Sequence, residues 1–90
     1  MSQKDQPTIS GRQIAAARVL IAMGQAELAA AASISVPTLK RMEASEGPAT
    51  GMANNVRAVV GALEAAGLEF IPENGGGAGI RFRERKAPAE

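Results

Sequence analysis

Arg18, Gln25, Lys40, Arg41 and Glu43 are the residues whose types and spacing carry usable chemistry. Arg18 and Glu43 offer each other a planar donor fork and a carboxylate, the match that makes a charge tolerable beside an apolar core. Read singly, they are two exposed charges on separate helices. Gln25 falls at the start of an Ala-rich run, where its amide would add to free backbone N–H groups and the positive dipole end to clamp a phosphate. Alone, it is a surface Gln. Lys40 and Arg41 are adjacent on a segment whose other face is apolar. A guanidinium so placed can bond guanine bidentately, and as bare charges the two also read as a solvated helical face. The chain has no Cys and no His, so disulfides, thiolate metal sites and the usual zinc and general-base sets are missing. No catalytic residue, metal site or cofactor is expected.

Ninety residues make one small domain whose single core is marginal alone, so association with a second copy would help. Two Phe are the only aromatics. Ala, Leu, Ile, Val and Met must therefore build the core, which favours closely packed helices. Ten basic against nine acidic residues leave a net charge of +1, so a polyanion must be held by basic groups gathered on one face. Arg18, Gln25 and Glu27 break the most apolar stretch well short of a membrane span. Arg12 and Arg18 ahead of that stretch also admit a cleaved-signal reading, but helical periodicity continues past any cleavage point. A cytoplasmic protein with no membrane partner is expected.

The helices that carry these residues are legible from their caps. Residues 1–8 read as a polar tail. Ser10 with Gln13 makes a capping box, Ile9 and Ile14 sit at the staple positions, and a first helix is predicted from Gly11 to Ala22 with Ile14, Ala17, Leu20 and Ile21 inward. Gly24 caps a second helix reaching Ala32, with Glu27 on its dipole. Ser33 and Ile34 form a turn, Ser35 caps a third helix from Val36 to Ala44, and Pro37 sits in its first turn, where a missing N–H costs nothing. With Ile34, Leu39 and Met42 inward, Val36, Pro37, Lys40 and Arg41 turn outward. A loop over 45–51 precedes a fourth helix carrying Val56, Val59, Val60 and Leu63 and ending near Gly67.

Beyond it, 68–71 and 80–83 alternate like two short strands around a Gly-rich connection. Asn74 to Gly79 lacks the spacing, the Lys and the following helix of a nucleotide loop, and reads as a flexible connector. Arg81, Arg83, Arg85 and Lys86 are the densest basic stretch, either reaching a nucleic-acid backbone or standing solvated on a strand. A lone hairpin is marginal in water, so Leu68, Phe70, Ile80 and Phe82 are expected to pack on the helices and to hold a dimer by strand pairing. Residues 85–90 read as a charged tail.

From Ile14 to Leu63 the chain resembles the lambdoid-repressor-like (XRE) helix-turn-helix family, with its five-helix core shortened to four. Arg18, Gln25 and Glu43 carry the resemblance together. It implies that Arg18 and Glu43 form an internal ion pair tying the first helix to the recognition helix, and that Gln25 anchors a phosphate. It also implies that Ser35, Val36, Pro37, Lys40 and Arg41 meet the major groove, with Thr38 near the backbone; in or beside the following loop, Thr50, Met52 and Asn54 are candidates for phosphate contact through side chain or backbone N–H. The chain departs from the family at Ser33 and at Ser45, where Gly is usual; the first departure implies backbone strain or an altered turn.

The expected fold is thus mainly α: a helix-turn-helix domain over 9–67, then a C-terminal strand pair over 68–84 used in dimerisation. The expected function is a sequence-specific regulator, a repressor binding a palindromic duplex DNA operator as a homodimer. A protein-interaction module, antitoxin-like or adaptor, is the alternative from another class.

Overall fold

Ser10 starts the first helix as its capping box requires. Its Oγ accepts the Gln13 N–H at 3.0 Å, while Gln13 Oε1 accepts the Ser10 N–H at 2.9 Å. The computed structural model describes residues 9–84, so the two expected tails, and with them Arg85 and Lys86, lie outside the described residues. Within them the order is α1 (Gly11–Leu20), α2 (Gln25–Ala32), α3 (Val36–Glu43), α4 (Ala53–Ala65), β1 (Leu68–Ile71) and β2 (Gly79–Phe82).

α1 stops two residues short of expectation because the chain turns at Ala22, a non-Gly residue at φ 56°. Ile14 and Ala17 are fully buried, but Leu20 is 43% exposed, a correction to the predicted inward stripe. At 100° per residue, Leu20 points about 90° away from the direction shared by Ile14, Ala17 and Ile21. Gln13 takes the flank instead: it is buried, and its Nε2 donates to the Gly79 carbonyl at 2.9 Å.

α2 begins after Gly24, whose N–H donates to the Glu27 carboxylate at 3.4 Å, and buries Leu28, Ala29 and Ala32. α3 buries Leu39 and Met42. α4 follows Met52 and sinks Val59 and Leu63 fully, whereas Val56 and Val60 are only half covered. These residues and Leu68 make one core, against which Ile21, Ile34, Phe70, Ile80 and Phe82 pack.

β1 and β2 pair antiparallel in a two-stranded sheet, with Leu68 opposite Phe82 and Phe70 opposite Ile80 on the face toward the helices. The second strand lies one residue earlier than predicted, because Gly79 already pairs with Ile71, and the Gly79 carbonyl also accepts from Gln13. The Arg83 N–H closes the hairpin on the Gly67 carbonyl at 2.8 Å. Among the described residues no single helix is long and apolar enough to cross a membrane, and α1 and α2, apolar enough together, meet at 111°.

Candidate nucleic-acid interface

Both ends of α3 are tied down by short polar side chains. At its start the Ser35 Oγ accepts the Thr38 N–H at 3.2 Å and donates to Thr38 Oγ1 at 2.8 Å, with Pro37 in the same turn. At its end the Ser45 hydroxyl lies 3.3 Å from the Arg41 carbonyl and 3.0 Å from Thr50 Oγ1, and accepts the Thr50 N–H at 3.1 Å. Ser45 thus ties the end of α3 to Thr50 at the far side of the loop. Between these ends Leu39 and Met42 face the core, which leaves Lys40 and Arg41 exposed in the last turn.

The turn into α3, like the one before α2 at Ala22, holds a non-Gly residue at positive φ. Ser33 lies at φ 59°, ψ 43°, the left-handed region that favours Gly, and its N–H reaches the Ala30 carbonyl at 3.1 Å. Of the two outcomes expected of Ser33, strain or an altered turn, the chain keeps the left-handed turn and carries its cost, about 1–2 kcal/mol for an L-residue.

Glu43 organises the other side of α3. Arg18 Nε donates to Glu43 Oε2 at 2.8 Å and Arg18 Nη2 to Oε1 at 3.1 Å, a two-point fork between α1 and α3. Both side chains are largely shielded, 19% exposed for Arg18 and 7% for Glu43. Arg18 Nη1 adds a bond to the Met23 carbonyl at 3.1 Å, so the same guanidinium fixes the α1–α2 turn. The hydrogen bonds that Arg18 donates to Glu43 raise its pKa, burial opposes the shift, and the Glu43 charge adds to it.

Gln25 joins this cluster, which residue spacing alone did not reveal. Its Nε2 donates to Glu43 Oε1 at 3.0 Å, so one amide hydrogen is engaged within the chain. An amide nitrogen carries two hydrogens, so Glu43 engages only one of the donors that Gln25 offers at the start of α2. Gly11 is a second residue not singled out for its packing. A Cβ there would come 2.2 Å from the Met42 carbonyl oxygen and 2.7 Å from that of Ser45, so the first residue of α1 abuts the end of α3.

The remaining expected residues divide plainly. Ser35 at the cap of α3 and Pro37, Lys40 and Arg41 on it are exposed, Thr38 is half-buried, and Asn54 is exposed in the first turn of α4. Val36 does not turn fully outward; it is half-buried and packs against the core. Thr50 stands at the α3 terminus, its N–H on Ser45. Leu68 is wholly inside its own core, and Phe70, Ile80 and Phe82 pack on that core, so their side chains serve the fold of one chain. Arg81 pairs with Glu69 across the hairpin at 3.2 Å, and Arg83 Nη2 donates to the carbonyls of Glu64 and Leu68 at 2.7 and 3.2 Å.

Taken together, α3 is a braced helix with a basic exposed flank and an amide-bearing helix start beside its anchor. Comparison of the chain with protein-family models finds no match, and comparison with curated proteins finds none either.

Proposed function

We propose that this chain is a sequence-specific DNA-binding regulator in which α2 and α3 act as a helix-turn-helix unit and α3 enters the major groove. The observation that supports this reading best is the clamping of α3 by the Arg18–Glu43–Gln25 cluster while Lys40 and Arg41 stay exposed. A helix held at that many points presents its side chains at fixed positions, which base-edge readout demands. Arg41 is the residue for a bidentate bond to guanine, Lys40 reads or neutralises beside it, and Pro37 offers apolar contact to a thymine methyl. Gln25 and the free N–H groups at the start of α2 hold a phosphate.

One recognition helix reads only a few base pairs, so two copies on related half-sites roughly 34 Å apart supply the affinity a regulator needs. Occupying promoter sequence in this way represses transcription. The test is selection of duplexes from a random pool by the full chain, followed by salt titration of the selected sequence. The expected result is a motif of two symmetric halves, bound more weakly as salt rises. Arg41→Ala then loses about 1–3 kcal/mol on the selected duplex and relaxes one base pair, while binding to random duplex hardly changes. No enrichment over a random pool, or equal losses on both duplexes, overturns the reading.

A further inference from the structure

We infer that two copies of this chain associate through α4, crossed antiparallel about a two-fold axis that passes between Val60 and Gly61. The inference rests on the two-copy reading above and names the surface it requires. Beside α4 runs a groove of about 480 Å³ with an apolar floor that includes Ile9, Val56, Val60 and Phe70 and with Arg57 and Glu64 also lining it. Val56 and Val60 are half covered within the chain although they belong to the apolar pattern of the helix.

The charges identify what covers them. Arg57 and Glu64 are both exposed, and neither side chain has an ion-pair or hydrogen-bond partner among the described residues. Seven residues apart, they lie on one face of the helix about 10.5 Å apart along its axis, too far to pair with each other. An antiparallel copy brings Arg57 opposite the partner's Glu64 and Glu64 opposite the partner's Arg57. A two-fold interface has this self-complementary form, in which each residue meets the one that meets it.

Gly61 fits the same arrangement. It is exposed inside a helix, where Gly is the poorest former after Pro, and a Cβ there would meet nothing within 4 Å in its own chain. Nothing within one copy uses the missing side chain. Across the axis Gly61 faces the partner's Val60, and the space where its Cβ would stand admits that isopropyl group. The outer backbone edges of β1 and β2 are the competing contact, but the hairpin carries no comparable pair of free opposite charges: Arg81 already bonds Glu69.

Sedimentation equilibrium of the full chain without DNA decides between them. The unaltered chain is expected to dimerise, and Arg57→Glu or Glu64→Arg alone, which turns two attractions into two repulsions, weakens the dimer about tenfold. The double reversal restores it. Gly61→Ala also weakens the dimer about tenfold, while circular dichroism shows an equal or higher melting temperature for the dilute monomer. A chain monomeric at every concentration, single reversals without effect, or a double reversal no better than either single one overturns the inference. Glu64→Arg should still bind a duplex bearing one half-site as the unaltered chain does. If selected-duplex binding fails while the charge swap behaves as stated, the DNA reading falls and the α4 interface stands.

Discussion

Glu43 accepts three hydrogen bonds from two other helical segments, and this makes one carboxylate the keystone of α3. Removing either charged partner strands the other in a poorly solvated place. Arg18→Ala and Glu43→Ala are each expected to destabilise the fold by about 3 kcal/mol, and the double variant by less than their sum. Urea unfolding of the four chains measures the coupling, and additive losses would mean the pair contributes nothing as a pair. The raised Arg18 pKa sets the sign of any pH effect. A cation whose pKa rises on folding lends its full stability below the unfolded pKa and loses it as pH climbs through the folded one. For a guanidinium that window lies in strong alkali, so Arg18 itself brings no pH dependence near neutrality.

At the scale of elements, the α2–α3 turn and the loop after α3 are held by different means: a left-handed residue in the first, a side-chain hydroxyl in the second. Ser33 adopts a left-handed conformation that Gly would adopt without strain. Ser33→Gly should therefore raise stability by about 1 kcal/mol, the relief exceeding the extra freedom Gly gains when unfolded. Differential scanning calorimetry would register that as a rise of roughly 5 °C for a domain of this size. A fall instead would show that the Ser33 side chain contributes something the backbone does not reveal. After α3, Ser45 uses its hydroxyl rather than a flexible backbone, binding Thr50 and capping the Arg41 carbonyl. The loop is thereby held against α1, where the Gly11 N–H meets the Gly47 carbonyl at 3.2 Å and the Ala49 N–H meets the Ile9 carbonyl at 2.9 Å.

For the whole molecule, the hairpin behaves as part of the helical core rather than an appendage. Leu68 has no exposed surface, Gln13 reaches from α1 to Gly79, and Arg83 bonds carbonyls of Glu64 and Leu68. Leu68→Ala should cost about 2–5 kcal/mol, a large share of the stability of a domain this small. Truncation after Gly67 should then give a largely unfolded chain, followed by loss of far-ultraviolet circular dichroism, rather than a folded monomer. A truncated chain that melts cooperatively near the full-length temperature would show that the helices alone suffice.

Elements whose causes are local could be read from residue order alone. Ser10 with Gln13, Gly24 with Glu27, and Ser35 with Pro37 mark helix starts by hydrogen bonds spanning a few residues, and the alternation around Phe70 and Phe82 marks the strands. The Arg18–Glu43 pair was legible too, since a charge beside an apolar face needs a counter-charge and the family resemblance named one. Only the tertiary structure decided what joins residues far apart in the chain. It turned Leu20 outward, half-buried Val36, aimed the Gln25 amide at Glu43, and placed Gly11 against the carbonyls of Met42 and Ser45. Those outcomes depend on which surface of one helix meets which surface of another, and periodicity within a single helix does not specify that angle.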